Sequence, residues 1–160
     1  MVVVMKMVKV LFVCLGNICR SPMAEGLFRK RIKDLGLEDK IHIESRATSS
    51  WEIGNEPHQG TKKILKREDA LFDDMVSEKI TTRDFDDYDF IIGMDDQNLK
   101  DLRKMAMDQY HKVFKYLDVC EDCKYTNVDD PYYTGLFEKT YEDIHKYIDM
   151  WIDIFKKQIV

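Results

Sequence analysis

The stretch at residues 10–28, VLFVCLGNICRSPMAEGLF, decides the fold because it changes within a few residues from an apolar run to a helical pattern. Residues 8–13 are a nearly continuous apolar segment, which is typical of a strand buried on both faces of a parallel sheet. After Cys14 the apolar residues recur at helical spacing, and Gly36 follows as a helix terminator. The sequence therefore predicts strand, loop and helix, with Cys14 at the end of the strand.

Strand-like and helix-like segments then alternate along the chain. We predict further strands at 41–43, 89–94 and 112–117, helices at about 58–67, 95–107 and 137–157, and loop with short helical turns at 70–87. Such alternation implies right-handed crossovers between parallel strands. The predicted class is therefore α/β, with a doubly wound four-stranded parallel sheet flanked by helices. At 160 residues, the chain is expected to form a single domain over residues 1–160.

Charge and composition exclude several classes of partner. A formal net charge of −5 argues against a nucleic-acid partner, since affinity for a polyanion comes from clustered Lys and Arg. No apolar run reaches the roughly 20 residues that span a bilayer, so no membrane partner is expected. The apolar opening contains Lys6 and Lys9 and lacks a small-residue cleavage site, which favours a first strand with a short overhang over a signal peptide.

The cysteine content indicates a reducing compartment. Without a secretory signal, the four cysteines predict a cytoplasmic protein with reactive or incidental thiols. Cys120 and Cys123 form a single Cys-x2-Cys pair, which is half a zinc site at most. We therefore expect no metal and no cofactor.

The residue types between Cys14 and Ser21 suit a bound phosphate. A loop from strand to helix offers backbone N–H groups and the positive end of a helix dipole. Gly16 permits close approach or a left-handed turn, Asn17 tolerates positive φ, and Ser21 is a candidate helix N-cap that can also hydrogen-bond a thiolate. The planar fork of Arg20 can hold two phosphate oxygens, and the same positive field favours the thiolate form of Cys14. The sequence thus predicts a phosphate-binding loop after the first strand, with a nucleophile at its floor.

The segment 13–25, VCLGNICRSPMAE, carries Cys-x5-Arg-Ser and resembles the phosphate loop of the low-molecular-weight protein tyrosine phosphatases. The resemblance covers essentially the whole chain, including FIIGMDDQNL at 90–99. It implies hydrolysis of phosphotyrosine in proteins through a phosphocysteine intermediate, with inorganic phosphate as product. In this family Cys14 corresponds to the nucleophile and Arg20 to the phosphate clamp. The remaining expected phosphate-site residues are Leu15, Gly16, Asn17, Ile18, Cys19 and Ser21.

A tyrosyl leaving group also needs a proton, and NVDDPYYTG at 127–135 contains the candidate acid. The residue before a proline is confined to extended conformations, which helps to hold Asp130 on a projecting loop. The resemblance agrees, because these phosphatases carry Asp-Pro-Tyr-Tyr late in the chain with that Asp as general acid. Asp130 is therefore preferred over Asp129. Tyr132 and Tyr133 are expected to form the walls of a slot for an aromatic ring.

A third matching segment is ESRATSSWEIGNEP at 44–57. The resemblance implies that Ser45 supports the phosphate loop and that the following residues border the substrate cleft. Trp51, Glu52 and Asn55 are then expected to influence the choice of peptide.

The chain departs from many relatives before its third strand. Where they carry a His and an Arg, this sequence has Met75 and Glu78. The replacement puts in doubt the hydrogen bonds expected around Asn17 and Ser45, but not the nucleophile, clamp or acid.

Three other functions compete with tyrosine phosphatase. Arsenate reductases of the same fold need further cysteines in mid-chain, and residues 20–119 contain none. Protein arginine phosphatases of the family tend to have Thr in place of Ile18 and lack the double tyrosine. A catalytically silent phosphopeptide-binding module is disfavoured because nucleophile, clamp and acid are all present.

Cys19 leads to a separate hypothesis, a reversible disulfide with Cys14 that protects the nucleophile from overoxidation.

Overall fold

A computed structural model describes residues 7–159, so the predicted overhang at residues 1–6 lies outside the described part. The strands are β1 (Val8–Cys14), β2 (Ile41–Ala47), β3 (Phe90–Gly93) and β4 (Val113–Lys115). They form one parallel sheet in the order β2-β1-β3-β4. The predicted four-stranded parallel sheet is confirmed, with β2 longer and β4 shorter than the sequence pattern indicates.

Helices cover both faces of this sheet. They are α1 (Arg20–Asp34), α2 (Gln59–Arg67), α3 (Thr82–Asp87), α4 (Asp96–Ala106), α5 (Pro131–Thr134), α6 (Phe137–His145) and α7 (Ile148–Lys156), with short 3-10 turns at Met107–Lys112 and Tyr116–Val119. The short helix α3 lies in the segment predicted as loop and helical turns. Within the described residues, no helix is both long enough and apolar enough to cross a bilayer.

The central strand β1 explains why two layers of helix are needed. Side chains along a strand point alternately to opposite faces. Val10 and Phe12 pack in the core shared with α1, α6 and α7, whereas Leu11 and Val13 pack in the core shared with α3 and α4. All four are fully buried, which is the reason for the continuous apolar run in the sequence.

The last predicted helix is wrong in one respect, since the structure divides it into α6 and α7. Tyr147 interrupts the helix with φ −111° and ψ 10°. The apolar stripe continues across the break, because Ile144, Ile148 and Trp151 are all buried. A periodic stripe therefore could not reveal the interruption.

Cys120 and Cys123 are joined by a disulfide, which corrects the expectation that they are reactive or incidental thiols. The phenol of Tyr147 donates a hydrogen bond to Cys120 Sγ at 2.9 Å and lies 3.1 Å from Cys123 Sγ. The two cysteines lie in an irregular segment, where the sequence spacing alone does not say whether the sulfurs meet. Among the described residues, the free cysteines are Cys14 and Cys19.

Candidate active site

The Cys14 thiol lies at the carboxyl end of β1, facing the start of α1. Ligands of such sheets bind at this edge. The Asn17 N–H donates to Cys14 Sγ at 3.3 Å, and Ser21 Oγ lies 3.1 Å from the same sulfur. The left-handed residue of the loop is Asn17, with φ 56°, rather than Gly16. Ser21 is not the N-cap as predicted, because α1 begins at Arg20, two residues earlier, and Cys19 is the N-cap. The Ser21 hydroxyl contacts the sulfur instead.

Carbonyl groups of the phosphate loop are held away from the cleft by neighbouring segments. Thr48 N–H donates to the Cys14 carbonyl (2.9 Å), Ser49 Oγ to the Leu15 carbonyl (2.8 Å) and Ser77 Oγ to the Gly16 carbonyl (2.8 Å). His58 N–H donates to the Ile18 carbonyl (2.7 Å), and Thr61 Oγ1 donates to the Cys19 carbonyl (3.0 Å). Within residues 7–159, no acceptor takes up the amide hydrogens of Leu15, Gly16, Ile18 or Cys19. These amides remain available to an anion. The sequence pattern did not reveal these donors, because they lie in loops and at helix starts far along the chain.

Asn17 links the phosphate loop to the layer beneath it. Its Nδ2 donates to Ser21 Oγ and to Ser45 Oγ, both at 2.8 Å, and its Oδ1 accepts from the Glu78 N–H at 3.1 Å. The doubt raised by Met75 and Glu78 is thereby answered: a backbone N–H of Glu78 holds Asn17, and no His or Arg side chain is required. The expected support from Ser45 is present.

Glu25 completes this layer and was not found from the sequence. Its Oε1 accepts from Ser45 Oγ at 2.5 Å, and its Oε2 pairs with Arg29 at 2.7 Å. Burial raises the pKa of Glu25 to about 7, although the Arg29 charge and the Ser45 hydrogen bond act in the opposite direction. The sequence feature that could have pointed to Glu25 is an acidic residue among the buried residues of α1.

Arg20 is 2% exposed and links the start of α1 to Asp95 at the start of α4 and to the segment 128–130. Its Nη1 donates to Asp95 Oδ2 at 2.6 Å and to the Val128 carbonyl at 2.9 Å, and its Nη2 lies 3.4 Å from Asp130 Oδ2. Burial alone would lower the pKa of Arg20, but the charges of Cys14, Asp95 and Asp130 raise it. Arg20 Nε is buried and has no hydrogen-bond partner in the described structure.

Asp95 was predicted only as the start of a helix. The structure makes it the N-cap of α4, where Oδ1 accepts from the Asn98 N–H at 2.8 Å while Oδ2 holds Arg20. The signal was present in the sequence, because Asp95 follows β3, and β3 pairs directly with β1. Carboxyl ends of adjacent parallel strands meet at one edge of the sheet.

The predicted acid Asp130 caps the one-turn helix α5, where its Oδ1 accepts from the Tyr132 N–H at 3.1 Å. Its side chain is 20% exposed and reaches Arg20. The neighbouring Asp129 is 62% exposed and pairs with Lys139 at 3.7 Å. Of the two aspartates, only Asp130 lines the cleft.

A cleft of about 140 Å³ collects most of the predicted site residues. It is lined by Cys14, Leu15, Gly16, Ile18, Cys19, Trp51, Glu52, Asp130, Tyr132 and Tyr133. Arg20, Asn17, Ser21 and Ser45 lie behind this lining and hold it in place. Trp51 and Tyr133 are largely exposed at the rim, and Asn55 contributes by donating to Glu52 Oε2 at 2.6 Å.

The second thiol of the loop, Cys19, differs from Cys14 in its environment. Burial raises the pKa of Cys19, and the negative charges of Cys14 and Asp130 raise it further. Cys19 therefore stays a thiol. The reversible disulfide with Cys14 remains a prediction.

Comparisons with known proteins agree with this geometry. A family model described as low molecular weight phosphotyrosine protein phosphatase matches residues 9–160. The low molecular weight protein-tyrosine-phosphatase YfkJ of Bacillus subtilis is 49% identical over 134 residues, covering 83% of this chain and 86% of YfkJ. The crystal structure of YfkJ superposes with a TM-score of 0.92 at 44% identity, covering 96% and 97% of the two chains.

Two more distant relatives extend the comparison. PtpA of Staphylococcus aureus strain MRSA252, also a low molecular weight protein-tyrosine-phosphatase, is 42% identical over 94% of this chain and 96% of its own. The structure of a Drosophila arginine phosphatase superposes with a TM-score of 0.85 at 30% identity, covering 92% of this chain and 98% of the other. The chain therefore belongs to the low molecular weight phosphotyrosine protein phosphatase family, and it is a phosphatase.

Proposed function

We propose that the chain hydrolyses phosphotyrosine in proteins, with Cys14 as nucleophile, Arg20 as phosphate clamp and Asp130 as general acid. The observation that carries this assignment is a set of N–H groups around Cys14 Sγ that are available to bind an anion. Among the described residues, neither buried Arg20 Nε nor the loop amides beside Cys14 have a hydrogen-bond acceptor. Unsatisfied buried donors are costly, and a bound phosphate would satisfy them together.

In the first step, the Cys14 thiolate attacks phosphorus in line with the bond to the tyrosyl oxygen. As the sulfur–phosphorus bond forms, the phosphorus–oxygen bond breaks, and the protonated carboxyl of Asp130 gives its proton to the departing phenolate oxygen. Arg20 and the loop amides stabilise the charge that develops on the equatorial oxygens.

In the second step, water attacks the phosphorus of the phosphocysteine, and the Asp130 carboxylate takes a proton from that water. The sulfur–phosphorus bond breaks, inorganic phosphate leaves and the Cys14 thiolate is restored. The Asn17 N–H and the Ser21 hydroxyl, both already near Sγ, stabilise the thiolate as a leaving group. Both steps use side chains and backbone N–H groups of this chain together with water.

The rim favours an aromatic phosphate ester. The rings of Tyr132 and Tyr133 lie 5.2 Å apart at an interplanar angle of 81°, and exposed Trp51 lines the same cleft. Stacking on such rings adds roughly 0.5–1.5 kcal/mol beyond area burial.

Phosphoarginine is the second candidate substrate, because the Glu52 carboxylate also lines the cleft and is suited to a guanidinium. Peptides identical but for phosphotyrosine or phosphoarginine, assayed side by side, decide between the two.

We also propose that the substrates are cytoplasmic phosphoproteins, since the mechanism requires a reduced Cys14 thiol. Neither nucleic acid nor a membrane takes part in the proposed reaction.

The nucleophile is tested by Cys14→Ser with an aryl phosphate. We expect turnover to be abolished while inorganic phosphate still binds, because the loop amides and Arg20 remain. The double variant Cys120→Ser, Cys123→Ser is the matched control and should keep most of the activity. A near-native rate for Cys14→Ser would refute the assignment. The same variant used as a substrate trap in a lysate would identify the phosphoprotein.

A further inference from the structure

Lys115 is a buried ammonium group that the proposed mechanism does not use. It is the last residue of β4, and its side chain is 8% exposed. Burying a charge is costly unless it is paired and hydrogen-bonded. Its Nζ donates to Asp96 Oδ1 at 2.5 Å and to Thr126 Oγ1 at 2.9 Å. Lys115 therefore ties the end of β4 to the start of α4 and to the segment that leads to the acid.

Asp96 adds two hydrogen bonds between the start of α4 and the acid segment, both with Asn127. Its backbone N–H donates to Asn127 Oδ1 at 3.0 Å, and its Oδ2 accepts from Asn127 Nδ2 at 3.4 Å. The hydrogen bond from Lys115, helped by Asn127, lowers the pKa of Asp96, which keeps it a carboxylate. Residues 126 and 127 are thus both fixed through the Lys115–Asp96 pair.

The anchored segment continues directly into the catalytic groups. Val128 follows Asn127, and its N–H donates to the Met94 carbonyl at 2.9 Å while its own carbonyl accepts from Arg20. Asp130 comes two residues later. A shift at residues 126 and 127 would therefore be passed along a short stretch of backbone to the acid.

The clamp depends less on this anchor than the acid does. Arg20 is 2% exposed and is held by Asp95, which has its own capping bond to α4. The Asp130 side chain has weaker restraints: the Tyr132 N–H and the 3.4 Å contact with Arg20. Loosening residues 126 and 127 should therefore affect proton delivery before it affects phosphate capture.

We propose that Lys115 is a positioning residue for the general acid: by holding Asp96 and Thr126 it places Asp130 to protonate the leaving group. This inference rests on the proposed role of Asp130. Lys115 is not one of the residues that line the cleft, so in this proposal it acts through the segment it anchors.

The test compares kcat/KM for two aryl phosphates in the variant Lys115→Met, which keeps the length of the side chain and removes the charge. The second-order constant reports the steps up to loss of the phenol. Phenyl phosphate has a poor leaving group that needs the proton, whereas p-nitrophenyl phosphate has a good one. General acid catalysis supplies about 10²–10⁴-fold, and misplacing the acid should cost about tenfold with phenyl phosphate and under about twofold with p-nitrophenyl phosphate. The inhibition constant of inorganic phosphate should not change.

Lys139→Met is the matched control. Lys139 also pairs with an aspartate of the acid segment, Asp129, but its side chain is 36% exposed and the distance is 3.7 Å. We expect the ratio of the two kcat/KM values to stay as in the unchanged chain. Thr126→Val provides a second variant that removes only the hydroxyl acceptor, and it should shift the ratio in the same direction by a smaller factor.

A coupling measurement separates this inference from the proposed function. In the Asp130→Asn background, Lys115→Met should add no further dependence on the leaving group, because the group it positions is absent. Equal losses with both substrates, a parallel change in phosphate inhibition, or an additive effect in that background would each overturn the inference alone. If Asp130→Asn by itself lowered kcat/KM equally for both substrates, the assignment of the acid would be overturned instead, and the role of Lys115 with it.

Discussion

The phosphate loop and the acid segment face each other across one cleft but are built differently. Asn17 and Ser21 of the phosphate loop are buried, and neighbouring segments hold its carbonyls outward. On the opposite side, Tyr132 and Tyr133 are 55% and 71% exposed. Charge stabilisation requires donors that are in place before the reaction. In the proposed function, the exposed side meets the peptide and can remain open, whereas the buried and hydrogen-bonded side receives the phosphate.

The largest expected effect is on the rigid side. Arg20→Lys removes the planar fork, including Nε, which has no partner within residues 7–159, and a lysine cannot replace two converging donors. We expect kcat/KM for phenyl phosphate to fall about 10⁴-fold, a size known for single arginines at phosphoryl groups. Arg31→Lys, on the exposed face of α1, is the control. A loss smaller than tenfold would mean that the clamp is not Arg20.

On the open side, Asp130→Asn should cost about 10³-fold with phenyl phosphate, since amide cannot donate the proton to the phenolate. With p-nitrophenyl phosphate we expect only about a tenfold loss in kcat/KM. Asp129→Asn is the matched control, because that aspartate is largely exposed and points to Lys139. Similar losses with both substrates would exclude Asp130 as the acid.

The layer beneath the phosphate loop should respond to pH. Burial raises the pKa of Glu25 from 4.5 to about 7, so the folded state keeps this proton after the unfolded chain has released it. Its contribution to stability is therefore fully present below about pH 4.5 and is lost as the pH rises to about 7. Glu25→Gln keeps the acceptor for Ser45 and removes the titration.

Urea unfolding at a series of pH values measures this effect. Relative to Glu25→Gln, the unchanged chain should lose up to about 3 kcal/mol of unfolding free energy across that interval. The control Glu38→Gln, at an exposed position, keeps Glu25 and should follow the pH trend of the unchanged chain. A difference between chain and Glu25→Gln that does not vary with pH would show that Glu25 does not titrate there.

The smallest effect is expected at the exposed rim. Trp51 is 73% exposed, so Trp51→Ala should raise KM for a phosphotyrosine peptide about threefold through lost stacking. The kcat/KM for p-nitrophenyl phosphate should change less than that for the peptide, because the small ester makes less contact with the rim. Equal changes for both substrates would place Trp51 in the phosphate site rather than at its border.

The parts of the site that lie close together in sequence were predictable. Cys14, Arg20 and the residues between them form a continuous stretch, whose spacing implies a strand end, a loop and a helix start. Asp130 was predicted as the acid from the Asp-Pro-Tyr-Tyr resemblance, together with the extended backbone that Pro131 imposes on it. The partners that Asp95, Glu25 and Ser77 contact could not be predicted, since each contact depends on a residue brought close by the sheet rather than by the chain.

Similar limits apply to the fold. The continuous apolar run of β1 indicated a strand buried on both faces, and the four-stranded sheet followed. The break at Tyr147 left no trace in the sequence, because the residues on both sides continue one stripe. The Cys120–Cys123 disulfide was likewise unpredictable, since spacing alone does not decide whether two sulfurs meet.

By itself, the sequence determined the order of strands and helices, the phosphate-binding loop and the placement of a thiol and an arginine at its two ends. These follow from local conformation and from hydrophobic periodicity, which act over a few residues. The tertiary structure alone decided which groups hold the loop carbonyls outward, what fixes Arg20 and how Lys115 reaches the acid segment. Those contacts join residues far apart in the chain, and they form only when the parallel strands align their carboxyl ends at one edge of the sheet.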